Sequence, residues 1–415
     1  MTNRRCPACG HADGGRLVTD LRLRMPDGHP LQGGYPIVSC SNCGCGFADV
    51  VVPASYYENY YRSLAKYAEE MTMYGAENTI SAVSASPIEP DWLVNKADDS
   101  ARRVDALLSS KSARILDVGC ATGSVLAALG RLSYEDLHGV DPSPESVRVA
   151  NTKPGVHANV GTFSALPADL GTFDCICATG VLEHLWDVDE AMRPLHRLLR
   201  PEGIVYVEVP DASEYLDCYV SPYEDFNSEH INHFSFSGLR RIAARSGLET
   251  VSETSYGAPL TAKVIARYAA VVWKIGKAGN LDETRDEALE ATLFAFAARS
   301  ARDFAEIEDA LERDLKGSSE YVLWGIGEMA FKLLALAPLT SRRSIAYVDG
   351  NRLRRGFHFD GMAVIAPTAI SSSPVPVVVS SMIHADSIVA AIADLGLENP
   401  VVRLDRWQNE TSTPQ

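Results

Sequence analysis

The chain has 415 residues, enough for two or three domains that each bury a core. With 46% hydrophobic and 22% charged residues it has the composition of ordinary globular protein and requires no large disordered part. A formal net charge of −16 repels polyphosphate backbones, which argues against nucleic acid as a partner and leaves only local basic patches to meet a small anionic ligand.

No apolar run approaches the roughly 20 residues needed to span a bilayer. Met1-Thr2-Asn3-Arg4-Arg5 leads straight into a cysteine motif without the apolar core of a signal peptide, so the expected location is the cytoplasm, away from membranes. Cys6-Pro7-Ala8-Cys9-Gly10 and Cys40-Ser41-Asn42-Cys43-Gly44 are two CxxC knuckles. Each turns two thiolates towards one ion, and the glycine that follows supplies an open backbone. Paired knuckles in a cytosolic protein read as a four-thiolate zinc site, with Cys6, Cys9, Cys40 and Cys43 as ligands and Cys45 as a spare thiol. With no open coordination position, such a zinc is structural and staples a small lobe. The remaining four cysteines are scattered and make poor disulfide arithmetic. From Pro53 to Tyr74 tyrosines recur (Tyr56, Tyr57, Tyr60, Tyr61, Tyr67, Tyr74); aromatic packing between lobes is the plain reading, and hydroxyls lining a cleft the sharper one. The small, polar stretch from Gly75 to Pro90 is a candidate lid.

Asp99 to Ser110 has helical spacing of Val104, Leu107 and Leu108. The central motif follows as Ile115-Leu116-Asp117-Val118-Gly119-Cys120-Ala121-Thr122-Gly123-Ser124, which reads as a strand, a tight turn and a helix start. Gly119, Ala121 and Gly123 let the backbone turn closely under a ligand. The spacing is neither GxGxxG nor a phosphate loop, so the ligand is not NAD or ATP. A second strand, His138-Gly139-Val140-Asp141-Pro142, ends on a carboxylate where an open α/β sheet meets ribose hydroxyls. Together these stretches resemble motif I and the acidic loop of the class I S-adenosylmethionine (SAM) methyltransferases. The resemblance implies a Rossmann-like α/β domain with Asp117, Gly119, Cys120, Ala121, Gly123, Asp141 and Pro142 around SAM. Further strands are expected at His157–Val160, Phe173–Ala178 and Gly203–Val209, with the last strand of the sheet across Val251–Tyr256. After the third strand, where many relatives carry an acid near the adenine, stand Gly161, Thr162 and Phe163. Adenine recognition then falls to backbone groups, the Thr162 hydroxyl or stacking by Phe163. Glu183-His184 follows the fourth strand; a histidine there supports the cofactor loop more often than it does chemistry, and it stays outside the catalytic set.

Methyl transfer from a sulfonium needs the protein to position a nucleophile and remove its proton. Glu229-His230 combines an imidazole that titrates near working pH with an adjacent carboxylate. His233 shares a face with His230 if this turn is helical, but packing or capping is the better reading for it, and spacing for a catalytic metal is lacking. The four-cysteine lobe, the SAM domain, a Glu-His motif after the fifth strand and a further α/β domain together resemble the zinc-containing sugar C-methyltransferases, which act on nucleotide-linked keto-deoxysugars. The resemblance implies that His230 is the base that forms an enolate, with Glu229 beside it. Asn227 stands where that family usually has tyrosine, which keeps the acceptor atom open. O- or N-methylation of a sugar or other small metabolite is therefore the alternative, and a non-catalytic SAM-binding or zinc-ribbon adaptor is the alternative of another class.

Ala262–Asn280 and Arg285–Lys316 favour helix and read as a connector. Tyr321–Gly327 then repeats the strand and glycine turn, and Ile345–Asp349 repeats the second strand with its carboxylate, so a second, C-terminal Rossmann-like domain is expected. Asp349 with the Gly325 turn suits a nucleotide, whereas Glu328 at the helix entrance disfavours a diphosphate. Arg352, Arg354 and Arg355 are the local candidates to meet one, although most such clusters are solvated faces. The expected division is 1–90 for the zinc lobe and lid, 91–258 for the methyltransferase domain, and 259–415 for the connector and C-terminal domain.

Overall fold

The computed structural model describes residues 2–12, 14–63, 91–163, 165–167, 169–259, 265–276 and 284–405. Tyr67, Tyr74 and the candidate lid at 75–90 lie outside them. Compactness groups the chain into two units that do not follow the linear order: Met1–Arg16, Val38–Cys218 and Glu229–Leu293 form the first, and Leu17–Ile37, Tyr219–Ser228 and Phe294–Gln415 the second. The four-cysteine knuckles and the central motif therefore belong to one unit.

The first unit is built on a seven-stranded sheet. Its strands are β4 (Ile115–Val118), β5 (Leu137–Asp141), β6 (Val156–Val160), β7 (Phe173–Thr179), β8 (Leu199–Pro210), β10 (Leu248–Pro259) and β11 (Ile265–Ile275), in the order β10-β11-β8-β7-β4-β5-β6. β4 to β8 are mutually parallel, while β11 runs antiparallel to both β8 and β10. All four residues of β4 are buried, as expected of a central strand covered on both faces. β4 has β5 on one side and β7 on the other, so the chain order reverses there and a crevice opens beyond its carboxyl end. Helix placement follows local chemistry: Ser143 caps Pro144–Ala150 by accepting from Ser146 N at 3.2 Å, and Pro144 takes a first-turn position where its missing N–H costs nothing.

Two expectations are corrected. The helix expected over 262–280 is instead strand β11, because Ala-Val-Val-Trp at 270–273 is buried on both faces between β8 and β10. A run of alanines and β-branched residues is ambiguous until its burial is known, and two covered faces favour the strand. The turn that had to be helical for His230 and His233 to share a face is not a helix either. Asn232–His233 is the short strand β9, antiparallel to β3 (Gly46–Ala48), which pairs Gly46 with His233 and Phe47 with Asn232. His233 is fully buried, its Nδ1 3.0 Å from the Tyr215 hydroxyl, in agreement with a packing role.

In the second unit, six strands lie in the order β14-β15-β13-β12-β16-β17, with β12 at Glu320–Trp324, β13 at Arg343–Val348, β14 at His358–Phe359, β15 at Met362–Ile365, β16 at Val377–Val379 and β17 at Val401–Arg403. Only the β14–β15 pair is antiparallel. The C-terminal Rossmann-like expectation is met. The long expected helix is present as Glu287–Asp314, beginning in the first unit and continuing into the second.

Candidate active site

At the carboxyl end of β4 the backbone takes left-handed values at Gly119 (φ 77°), Ala121 (φ 45°) and Gly123 (φ 78°). A side chain at Gly119 would meet Val181, with a Cβ only 2.6 Å from Val181 Cγ2, so bulk there is excluded by packing as well as by φ. Four of the five loop amides are already engaged. Gly119 N and Cys120 N donate to Val140 O, Gly123 N donates to Cys120 O, and Ala121 N donates to Asp141 Oδ2 at 2.9 Å. A loop that spends its amides internally is not a phosphate cradle. It suits a ligand whose charge near this turn is positive.

Asp117 supplies the matching charge. Its side chain is 1% exposed, and Oδ1 has no hydrogen-bond partner among the described residues. Burial, with the charges of Asp141 and Glu208 adding and Lys96 opposing, pushes its carboxyl up to about 8. An ammonium group would satisfy it. Asp141 closes the turn from β5: Oδ1 accepts from Ser143 N at 2.9 Å while Oδ2 holds Ala121 N. A carboxylate has about four acceptor sites, so both oxygens keep capacity for a diol. Burial raises the Asp141 carboxyl and the two amide hydrogen bonds lower it.

Gly119, Ala121, Asp141, Pro142, Thr162 and Phe163 line one cavity together, as the sequence predicts for a SAM pocket. Asp117, Cys120 and Gly123 do not. Cys120 points away into the core, where a Cβ on Gly139 would stand 2.6 Å from its sulfur, and burial pushes its thiol up. Only its backbone belongs to the turn. Gly123 serves packing, since its Cβ would stand 3.1 Å from Ala150 Cβ. Phe163 is mostly core, with an edge on the cavity.

The opposite wall holds Val181 and Trp186, which sequence reasoning left out, with Tyr57 and Tyr61 from the tyrosine stretch and His184, which it kept outside the catalytic set. Tyr57 stacks on Trp186 at 6.1 Å between centroids, and Tyr61 OH lies 2.9 Å from His184 Nδ1. His184 Nδ1–H also donates to Glu229 O at 3.0 Å, and since a carbonyl only accepts, this assigns the proton to Nδ1 and leaves a lone pair on Nε2. The His184 and His230 rings meet edge to face at 4.8 Å. Glu183, 3% exposed, brings Oε1 to 3.9 Å from His184 Nε2, and burial raises its carboxyl. Tyr60 OH donates to Glu229 Oε1 at 2.7 Å. Glu229 and His230 do not themselves line the cavity; they contact its wall through His184. Asn227 is not with them: it belongs to the second unit, where its Nδ2 donates to Glu224 O and its own carbonyl accepts from Tyr35 OH at 2.6 Å. The signal that pointed to His184 was in plain view, a second Glu-His pair directly after a strand end.

Glu183, His184 and His230 have ligand atoms within 4.8 Å of one another. A metal with bonds of about 2.1 Å holds neighbouring ligand atoms about 3.0–3.4 Å apart, closer than the 3.9 Å here. At 3.9 Å the pair is also too long for a hydrogen bond, so the groups would have to draw together to hold either an ion or a shared proton. The cysteine set is closed. Cys6 and Cys43 sulfurs stand 3.6 Å apart, as do those of Cys9 and Cys40, and all four lie within 4.8 Å. Tetrahedral zinc with Zn–S of about 2.3 Å places sulfurs about 3.8 Å apart. Gly10 (φ 72°) and Gly44 (φ 83°) return their N–H to Cys6 O and Cys40 O, the turn geometry that lets each knuckle present two sulfurs. These four residues fit a zinc ion.

Behind the sheet, Lys96 donates to Glu208 Oε1 at 2.9 Å, and Ser100 and Tyr206 hydroxyls donate to Oε2 at 2.9 and 3.0 Å. In the second unit Asp349 repeats the arrangement of Asp141, accepting from Ile326 N at 2.5 Å and Asn351 N at 2.7 Å. Glu328 there is held by the Ser228 hydroxyl and amide, and Arg355 donates to Gly350 O at 3.3 Å.

Residues 95–253 match the family described as "Methyltransferase domain". Over this part the chain is 36% identical across 98 residues to a ubiquinone biosynthesis O-methyltransferase of Methylocella silvestris, covering 22% of this chain and 38% of that protein. It is 27% identical across 124 residues to a demethylmenaquinone methyltransferase of Chlorobaculum tepidum, covering 30% and 50%. The solved CcbJ methyltransferase from Streptomyces caelestis is 18% identical and covers 51% of this chain and 99% of that one, with a TM-score of 0.38. The chain spans half or less of the length of the curated relatives it matches. Among the described residues no helix is long and apolar enough to cross a membrane.

Proposed function

We propose, from the premise that residues 95–253 are a SAM-dependent methyltransferase domain of the class I fold, that this protein methylates a small molecule, and specifically a nucleotide-linked keto-deoxysugar at the carbon beside its ketone. The observation that carries the reading is the contact between His230 and His184 at the wall of the cavity that Asp141 and the glycine turn close from the other side. SAM, when bound, supplies a methyl group on a sulfonium that needs no further activation. Asp117, buried just before the lining residues Val118 and Gly119, would offer its unpartnered Oδ1 to the ammonium, and Asp141 its oxygens to the ribose hydroxyls. His230 would take the proton beside the ketone, leaving a carbanion to which bound SAM would supply its methyl group as the S–CH3 bond breaks and the sulfur leaves as a neutral thioether. Glu229 is fixed by Tyr60 OH and, through its carbonyl, fixes the His184 ring, so the two imidazoles keep a set orientation. The four cysteines hold one structural zinc. Metal analysis of the purified chain should find about one zinc per chain, lost together with the fold on chelation.

The test incubates nucleotide 4-keto-sugars with the enzyme in heavy water, with and without SAM, and reads mass. Deuterium uptake beside the ketone without SAM, followed by methylated product with it, supports enolate chemistry. Neither uptake nor methylation across the panel removes this substrate class. A second reading, O-methylation of a hydroxyl whose proton His230 accepts, draws on the relatives named as ubiquinone biosynthesis O-methyltransferases and on Asn227 standing where the resembled family usually has tyrosine. Methylation of phenolic acceptors in the same assay, without solvent exchange at carbon, selects it.

A further inference from the structure

We infer that Arg4 is a positioning residue for the reaction, a buried guanidinium that ties the four-cysteine knuckle to both Glu-His segments and sets the spacing of His184 and His230. The inference rests on the proposed use of His230 as base.

Arg4 lies two residues before Cys6 and is 5% exposed. Its backbone N–H donates to Asp49 Oδ1 at 3.0 Å, which also takes Asn3 N at 2.6 Å, so the strand leading into the first knuckle is pinned. Among the described residues the guanidinium makes no carboxylate pair. It donates instead to five oxygens: Nη1 to Ala48 O at 3.0 Å and Ile231 O at 3.2 Å, and Nη2 to Leu185 O at 3.3 Å, Trp186 O at 2.9 Å and Asn232 Oδ1 at 3.0 Å. Leu185 and Trp186 directly follow His184, and Ile231 and Asn232 directly follow His230. One planar fork thus holds the two histidine-bearing segments at a fixed separation. A rigid fork with several donors can do this, whereas the compact point charge of lysine cannot span both segments at once.

The surrounding bonds show why that separation needs a clamp. The segments are laced to each other by Ile231 N to Glu183 O at 2.9 Å and by Asn232 Nδ2 to the carbonyls of Leu182 and Leu185, both at 2.8 Å. Leu185 O and Ile231 O thus already have one donor each, Asn232 Nδ2 and Ala48 N, and the guanidinium adds a second to both while also meeting Trp186 O, so one group bridges carbonyls of the two segments. The guanidinium also lies over the Trp186 ring at 4.6 Å, and Trp186 is part of the cavity wall. Metal binding at Cys6 and Cys9 fixes the knuckle, the knuckle fixes Arg4, and Arg4 fixes the wall that holds both imidazoles.

The experiment uses the full chain loaded with zinc and compares wild type with Arg4→Lys, and separately with Arg4→Gln. Zinc content and melting temperature are measured first, to confirm one metal per chain and a folded protein. Imidazole titrations of His184 and His230 are then followed by NMR of histidine-labelled protein, assigned with His184→Gln and His230→Gln; Glu183, Glu229, Tyr60 and Tyr61 are the titratable groups that face these rings. Turnover and SAM affinity are measured on the same samples. The expected result is a shift of half a pH unit or more in at least one of the two titrations, a fall in kcat of tenfold or more, and SAM affinity changed by less than threefold. Unchanged titrations in folded, zinc-loaded Arg4→Lys overturn the inference whatever the rate. Shifted titrations with unchanged kcat uphold the positioning role and place the fault with His230 as base.

Discussion

Asp117 makes SAM binding depend on pH in a way that can be worked out from its surroundings. With its carboxyl pushed up to about 8 by burial, it is largely protonated at neutral pH before ligand arrives, and the ammonium of SAM binds the ionised form. Binding therefore draws a proton off the protein. Below about pH 7.5 the ligand's own α-amino group, with an ordinary pKa of about 7.7–8.0, remains mostly charged. At pH 6 about one chain in a hundred has Asp117 ionised, so Kd should be about a hundredfold weaker than for the ionised form, equivalent to about 2.7 kcal/mol at 1.36 kcal/mol per pH unit. Affinity should improve close to tenfold for each unit between pH 6 and 7. Calorimetric titration at pH 6.5 in two buffers of different ionisation heat should report about one proton released per SAM bound. Asp117→Asn should weaken binding at pH 7.5 and flatten the slope, with loss of proton release. A wild-type Kd that is constant from pH 6 to 7.5, or the same slope in Asp117→Asn, would refute the pairing of this carboxyl with the ammonium.

Asp141→Asn should weaken SAM by about 10- to 100-fold, because hydrogen bonds to a charged group are worth about 1.5–3 kcal/mol, while one oxygen still accepts a loop amide. A folded variant with wild-type affinity removes Asp141 from the ribose. Lys96→Met leaves Glu208 buried without its counter-charge and should cost about 3–5 kcal/mol in a denaturant melt at pH 7. Burial raises the Glu208 carboxyl, but the Lys96 charge and the hydrogen bonds to the carboxylate together outweigh it and hold the group low. Its stabilisation is therefore present above the unfolded carboxyl pKa and fades as pH falls through the folded one. A loss under 1 kcal/mol would mean that Glu208 is already neutral. His233 is pushed down to about 3 by burial, with the Arg4 charge adding, whereas the unfolded chain titrates near 6.5. Between those values the unfolded state binds the extra proton, so stability falls by about 1.4 kcal/mol per unit as pH drops below 6.5. His29, pushed down to about 4 by burial, adds a like slope, so unfolding free energies at pH 5 and 7 should show in His233→Gln a slope smaller than wild type by about 1.4 kcal/mol per unit.

The sheet was legible because each parallel strand is a short apolar run that ends on a glycine or a carboxylate, and both features follow from backbone geometry at strand ends. Ile115–Gly123 and Leu137–Pro142 are read correctly for that reason, and Tyr321–Gly327 and Ile345–Asp349 again in the second unit. β11 was not legible. Its alanines carry no period, and only the burial of both faces decides for a strand. Among cofactor residues the pattern marked the turn but could not separate lining from packing. Gly119 and Gly123 look alike in sequence, yet Gly119 lines the cavity while Gly123 yields to Ala150.

The two Glu-His pairs carry the harder lesson, since nothing local distinguishes them. In the first, Glu183 is buried without a partner for Oε2 and its histidine lines the cavity; in the second, Glu229 is held by Tyr60 and lends its carbonyl to that same histidine. What an imidazole can do is set by the partner of its other nitrogen. For His184 that partner is the main chain of the second pair, 45 residues away along the sequence. Its tautomer is therefore a property of the fold, and the chemistry proposed for His230 depends on a neighbour whose proton is already committed. The same reasoning explains Arg4, to which the sequence assigned no role and around which the fold places five oxygens. A guanidinium that spends its donors on carbonyls from three segments is tied to their geometry. Any change that moves Cys6 must be felt at Ile231 and Trp186 before it is felt by substrate.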